Sequence, residues 1–169
     1  MQAVMARVVA FLAYILPDNT PVVQGDENRV PAPVGGYVVI TSITQKRLAT
    51  NISHYADPSP TTGTRTVEMK TGAEVQIDCY GPLAEDWAAM IVALWRDEQG
   101  CELLAPDCAP LYADDATHMT AYVNGEAQFE PRWMVRANLA YNGLLTLPQQ
   151  FADQAAATVI NVDVEYPAS

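Results

Sequence analysis

The sequence has few of the groups that carry chemistry at neutral pH. Its 169 residues include two histidines, three cysteines and nine basic residues against twenty acidic ones. It has no glycine-rich phosphate loop, no HExxH zinc motif, no GxSxG nucleophile motif and no calcium loop. Because grooves that bind nucleic acid need Lys and Arg to neutralise phosphates, the formal charge of −11 argues against such binding. We therefore expect no catalytic residues and no cofactor.

The cysteines do not form a recognisable framework. Three is an odd number, and Cys79 falls on the apolar side of a predicted strand. Cys101 and Cys108 are candidate metal ligands by spacing alone, but neither belongs to a CxxC pair, and the sequence offers only His54 and His118 beside them. The sequence thus predicts reduced thiols and no metal site.

The clearest pattern is a strand that turns directly into a helix. Residues 73–80 alternate between apolar and polar side chains, which predicts a strand with one buried side. Gly81 and Pro82 end it, and proline suits the first turn of a helix because its missing N–H would be unpaired there. The helix then carries an apolar stripe at three- and four-residue spacing. Its predicted core anchors are Trp87, Ile91, Leu94 and Trp95, and we add Trp133 from a later strand.

The N-terminal half predicts a helix, a strand and a long arm. Val4, Val8, Phe11, Leu12 and Ile15 form one helical face that ends before Pro17, and the apolar run is too short to span a bilayer. Residues 37–43 are β-branched and aromatic on both alternations, which predicts a strand covered on both faces. Residues 45–65 have no apolar pattern, which leaves two interpretations: an arm that becomes ordered on a partner, or a solvated β-hairpin extension. Its predicted roots carry Lys46, Arg47 and Arg65, and Tyr55 lies within it.

The C-terminal half adds short elements. In order we predict an irregular acidic crossing at 104–115, a turn at Asn124-Gly125, a strand at 132–141, a short helix at 148–157 and a strand at 158–166. The whole chain, 1–169, is expected to form one α+β domain. It should contain a mainly antiparallel sheet, with helices packed on one face and a hairpin arm at about 45–65.

Several segments also resemble a known family. The strongest are CYGPLAEDWA, Cys79–Ala88, and APLYADD, Ala109–Asp115, followed by NGEAQFEPRWMVRANLAYN and PQQFADQ. They resemble the neck or tail terminator proteins of long-tailed bacteriophages, in particular those with contractile tails. The resemblance runs from Leu16 to Tyr166, apart from the arm tip at about 57–64. The similar segments contain no residues that a particular chemistry requires, so they indicate a family better than a mechanism.

The resemblance implies a subunit of the virion tail or neck, assembled in the host cytoplasm. Such a protein forms a six-membered ring on the last ring of the tail tube, ends tube growth and meets head-completion or neck proteins on its other side. Its partners would be further copies of itself, the tail tube protein, the sheath and neck proteins, and DNA would pass without specific binding. Lys46, Arg47, Arg65 and Tyr55 are the residues that we expect at contacts between subunits.

Two other functions remain open at this point. The first is another ring component of the neck, such as a head-completion or tail-tube protein, which would differ in the rings that it touches. The second is a small-molecule-binding or hydrolytic α+β domain. A deep pocket between the Trp87 helix and the sheet would favour that second function.

Overall fold

The computed structural model describes residues 2–25, 33–58, 62–123, 129–151 and 156–158. In these ranges the helices are α1 (Gln2–Ile15), α2 (Ala84–Leu94) and α3 (Glu98–Leu104). The strands are β1 (Val22–Gln24), β2 (Tyr37–Arg47), β3 (Ile52–Ala56), β4 (Thr64–Tyr80), β5 (Cys108–Ala113), β6 (Thr117–Val123) and β7 (Phe129–Pro148). None of the described helices is long and apolar enough to cross a bilayer. The predicted α+β class with a mainly antiparallel sheet is confirmed.

Two long strands form the centre of the sheet. β4 has 17 residues and β7 has 20, and they pair antiparallel from Thr64 with Pro148 to Tyr80 with Arg132. The strand order is β1-β2-β4-β7-β5, with β3 also on β4 and β6 also on β7. Thus β2 and β3 follow one another along the outer side of β4, while β5 and β6 share the outer side of β7. In the described part, only β1 and β2 pair in parallel.

The core lies between the helices and one side of the sheet. Alternate residues of β4 from Ala73 to Cys79 are buried there, as their period of two predicts. They meet a cluster of buried side chains from the helices and neighbouring strands: Val8, Phe11, Leu12, Val38, Ile40, Trp87, Ile91, Leu104, Val135 and Leu139. Each large aliphatic side chain removed from water in this way contributes about 1.5 to 3 kcal/mol.

The predicted core anchors lie at different depths. Trp87, Ile91 and Trp95 are buried, whereas Leu94 and Trp133 are partly buried and pack against the cluster from its margin. Trp95 follows the last residue of α2, and its ring packs edge-on against Phe11 with centroids 5.5 Å apart. A buried indole N–H needs an acceptor. Trp95 Nε1 donates to the backbone carbonyl oxygen of Asn138 at 3.0 Å, so the helix is tied to β7.

The turn from β4 into α2 depends on glycine. Gly81 has φ +103°, a conformation that side chains rarely adopt, and a β-carbon there would lie 2.8 Å from the α-carbon of Gly36. Glu85 and Asp86 follow in the first turn of α2, where the positive end of the helix dipole favours carboxylates. The predicted strand-to-helix turn is therefore present, and it is made possible by the close approach of two glycines.

One open alternative is resolved by the structure, and two sequence predictions need correction. Residues 45–65 are not an irregular loop, because β2 continues to Arg47, β3 occupies Ile52–Ala56 and β4 begins at Thr64. The hairpin interpretation is therefore the one that the structure supports. The predicted acidic crossing contains β5, which tolerates Pro110 because proline is accepted on edge strands. Pro148 ends β7 and does not begin a helix. The predicted turn at 124–125 and nearly all of the predicted strand at 158–166 lie outside the described residues.

Candidate assembly surface

The most exposed apolar region of the described chain is a three-stranded arm. It consists of β3, residues 64–70 of β4 and residues 142–148 of β7, which pair with one another in register. Of the thirteen large hydrophobic side chains that are exposed among the described residues, six belong to it: Ile52, Tyr55, Met69, Leu144, Leu145 and Leu147. A monomeric protein seldom leaves so many apolar side chains exposed together, and such regions commonly mark contact surfaces.

The apolar side chains point to both sides of the three-stranded arm. Because β4 and β7 pair without a register shift, odd-numbered residues in both strands continue the side that faces the helices, and even-numbered residues face away. Met69, Leu145 and Leu147 therefore lie on the helix side, together with Tyr55, which pairs with Arg65. Ile52 and Leu144, which both pair with Glu68, lie on the other side. Leu144 is 68% exposed and Leu145 58%. The arm thus offers an apolar surface on each side.

The tip of the three-stranded arm is held by its own contacts. The Phe151 ring packs edge-on against Tyr55 with centroids 5.9 Å apart, and it also lies over Gly63. Gln149 N–H donates to the Gly63 carbonyl oxygen at 2.8 Å. A β-carbon on Gly63 would lie 2.4 Å from the Gln149 carbonyl oxygen, so this close crossing of two chain segments requires glycine.

The predicted contact residues are not together. Lys46 and Arg47 are exposed at the end of β2, opposite Gly72 and Thr71. Arg65 was expected at the other root of the arm, but it pairs with Tyr55 and Leu147 near the tip. Six residues of strand separate Arg65 from Thr71, a distance of about 20 Å. The prediction that Arg65 lies at a root of the arm is therefore wrong, while the role of these residues in subunit contacts stays a prediction.

Arg65 also differs from the other two cations in its bonding. Its Nε and Nη2 donate to the Ser53 hydroxyl oxygen at 3.2 and 3.1 Å, and its guanidinium lies 5.9 Å from the centre of the Tyr55 ring. Lys46 and Arg47 have no carboxylate within salt-bridge distance among the described residues. Lys46 and Arg47 are thus available for a partner, while Arg65 stabilises the hairpin of its own chain.

Charge is distributed unevenly between the arm region and the rest of the chain. Residues 45–70 contain four of the nine basic residues and two of the twenty acidic ones. One of those two acids, Glu68, lies 3.4 Å from His54 Nε2. Residues 45–70 therefore carry a formal charge of +2, whereas the remainder of the chain carries −13.

The titratable groups away from the arm do not converge on a reactive centre. Among the described residues, no three His, Cys, Asp or Glu side chains are placed to hold a metal ion. Cys79 and Cys108 are buried and Cys101 is exposed. Burial, with a smaller contribution from Asp78, raises the pKa of the Cys79 thiol to about 12. A thiol with a pKa that high is protonated and unreactive at neutral pH.

Sequence reasoning missed the third strand of the arm. It ended the last described strand at Tyr141, although β7 runs on through Leu144, Leu145 and Leu147. It also passed over Lys70 as a possible contact residue. The signal in the sequence was weak, because the run from Leu144 to Leu147 does not alternate and so shows no period of two.

The described part of the chain is thus a sheet-based α+β protein in which nearly half of the large exposed apolar side chains lie on the three-stranded arm. A family model described as phage neck terminator protein matches residues 2–165. The chain therefore belongs to the phage neck terminator protein family, and the family prediction from the sequence is confirmed. No curated protein matches the chain. As a member of this family, the protein is a structural component of the phage tail and neck and contacts other proteins of that region.

Proposed function

We propose that this protein is a tail terminator subunit, and that copies of it close into a ring that caps the tail tube. The ring would stop tube elongation and join the tail to head-completion and neck proteins. The observation that carries the proposal is the match to the neck terminator family over residues 2–165. The two-sided apolar arm supports it, since a ring needs surfaces that bind neighbouring copies.

Length control follows from the two faces of such a ring. One face would copy the docking surface of the tube and bind its last ring. The opposite face would lack that surface, so no further tube subunit could add. A head-to-tail contact that closes after a fixed rotation produces a ring and not a filament.

The acidic composition supports passage of DNA through the same ring. Six copies at −11 each carry a formal charge of −66. Carboxylates that face the channel would repel the phosphate backbone and keep the duplex from binding as it leaves the head. Lys46 and Arg47 would pair with carboxylates of a neighbouring copy, and Tyr55 would add apolar contact.

Electron microscopy of purified particles tests the proposal. We expect a labelled copy of this protein to lie in one ring between the tail tube and the neck. We also expect particles made without it to carry tails of irregular, excessive length. If purified tails lack the protein, or if its removal leaves tail length unchanged, the proposal is wrong. A position within the tube or at the head would instead favour another ring component.

A small-molecule-binding role receives less support. A deep pocket between the Trp87 helix and the sheet would favour that role. Two clefts in the described residues lie beside Leu48, one toward Cys108 and the other toward Leu111, and Trp87 lines neither of them.

A further inference from the structure

Two surfaces of opposite charge lie at different positions along β4. Near its middle, at Lys70 and Gly72, Lys46 and Lys70 are exposed beside Leu48 and Leu144, and we call these four residues the arm-base patch. Beyond Tyr80, which is its last residue, the side chains of Leu83, Glu85 and Asp86 are exposed at the start of α2, and we call them the α2 patch. The ten-residue step from Lys70 to Tyr80 along β4 separates the two patches by about 33 Å.

The arm-base patch has an apolar centre flanked by two cations. Lys46 pairs with Gly72 and Lys70 with Asn142, so both lysines lie on the side of the sheet away from the helices. The Leu48 side chain lies over Gly72, where a β-carbon would be 3.0 Å from its Cδ2. Leu48, Lys70 and Leu144 line one cleft. Leu48 is 47% exposed, so the apolar centre is open to a partner.

The nearby carboxylates do not neutralise these lysines. Asp107 lines the same cleft as Lys70, but its Oδ2 is paired with Arg7 Nε at 2.6 Å. Glu74 lines the cleft beside Lys46, and it is paired with Arg136 at 4.0 Å. Neither lysine has an ion-pair partner among the described residues.

The α2 patch has the complementary composition. Leu83 is 48% exposed, and the carboxylates of Glu85 and Asp86 beside it have no ion-pair partner in the described part of the chain. Its backbone is held firmly, because Gly81 packs against Gly36 and the following Trp87 is buried. A preorganised patch loses little entropy when it binds.

We propose that the α2 patch of one copy docks on the arm-base patch of a second copy. This inference rests on the proposed ring and names its contact. A head-to-tail contact needs two different, complementary patches on the same chain, and these two combine apolar centres with opposite charges. The positive arm region is also where a second copy of so acidic a chain would be attracted first. Another acidic neck protein would also pair with the lysines, but its binding would not depend on Glu85 and Asp86.

A charge exchange tests the contact. K46E/K70E makes both patches acidic, and E85K/D86K makes both basic. We expect each variant alone to raise the concentration needed for ring assembly at least tenfold, as measured by mass photometry and native mass spectrometry. Mixed in equal amounts, the two variants should assemble again, because every contact then joins opposite charges. In a six-membered ring the two variants would alternate, so the mixed ring should contain three copies of each.

The control is E98K/E102K, which makes the same charge change as E85K/D86K but on exposed residues of α3. It should assemble like the wild type, and circular dichroism should show all variants folded. The proposed contact is wrong if each exchange variant forms rings alone. It is also wrong if the two variants are folded but do not assemble when mixed. Neither result contradicts the ring of the wild type. If arm-base changes alone block binding of a neck protein, the partner is that protein. A wild-type chain that stays monomeric at all concentrations and in the particle overturns the ring as well.

Discussion

Arg132 donates two hydrogen bonds to one carboxylate oxygen of Asp78, from Nε at 3.1 Å and from Nη2 at 3.0 Å. The other carboxylate oxygen accepts from Gln76 Nε2 at 2.7 Å. Asp78 is only 3% exposed, although it lies on the side of the sheet away from the helices. A buried carboxylate needs this degree of pairing. The pair joins β4 to β7 close to the α2 patch.

Removing the Arg132 guanidinium should therefore destabilise the protein. Arg132→Ala leaves Asp78 buried without its cation, and we expect the free energy of unfolding to fall by about 3 kcal/mol. Arg136→Ala is the matched control, because Arg136 is exposed and lies 4.0 Å from Glu74. That change should cost less than about 1 kcal/mol. Urea denaturation of both variants measures the difference, and equal losses would contradict the role assigned to Asp78.

Trp95 should be more sensitive to truncation than Trp133. Trp95→Phe removes the hydrogen bond to the Asn138 carbonyl and leaves space beside Phe11, so we expect a loss of about 2 kcal/mol. Trp133 is only partly buried, and Trp133→Phe should cost less than half as much. Thermal unfolding followed by circular dichroism compares the two variants. A larger loss at Trp133 would mean that the core is centred elsewhere.

Alanine substitutions at Gly81 and Gly35 distinguish backbone strain from steric contact with a neighbouring segment. Both have positive φ, at 103° and 91°, so an alanine at either position is strained by about 1 kcal/mol. Only Gly81 also has a close neighbour, since its β-carbon would lie 2.8 Å from Gly36, whereas nothing lies within 4 Å at Gly35. We expect Gly81→Ala to be clearly less stable than Gly35→Ala in denaturation. Similar stabilities would show that the backbones can separate without cost.

The thiols should differ in accessibility. Cys101 is exposed, whereas Cys79 and Cys108 are buried. Burial, reinforced by Asp107 and opposed by Arg7, raises the pKa of Cys108 to about 11. A thiol reagent at pH 8 should modify one cysteine in the folded protein and all three in denaturant, as counted by mass spectrometry. Cys101→Ser should abolish the native reaction, and rapid labelling of that variant would contradict the packing.

The buried thiols also predict a loss of stability at high pH. The pKa of Cys79 is about 12 in the folded chain against an ordinary 9.0, so the unfolded chain releases this proton first as pH rises. The stabilisation is present in full below pH 9 and is lost as pH approaches 12. Between pH 8 and 10 the free energy of unfolding should fall by about 1 kcal/mol through Cys79. Urea titrations of Cys79→Ala should show a correspondingly shallower fall.

Local periodicity in the sequence is enough to predict many of the elements that form the core. The alternation in residues 73–80, the glycine and proline that follow, and the stripe through Trp87 and Trp95 predict a strand, a turn and a helix in that order. These elements form because each pattern depends on neighbours within a few residues. The predicted face of α1 is likewise present, with Val8, Phe11 and Leu12 fully buried.

The sequence by itself determined the fold class and the sides of β4 and β7 that face the core, because periodicity is a local property of the chain, and its resemblance to known segments indicated the family. Only the tertiary structure decided the arm and its contacts. The pairing of β4 with β7 joins Thr64 to Pro148 and places Arg65 beside Leu147 near the tip. It also brings Lys70 and Leu144 to the same cleft as Leu48. Such neighbours depend on the register between strands that are far apart in the chain, and no short pattern of residues encodes that register.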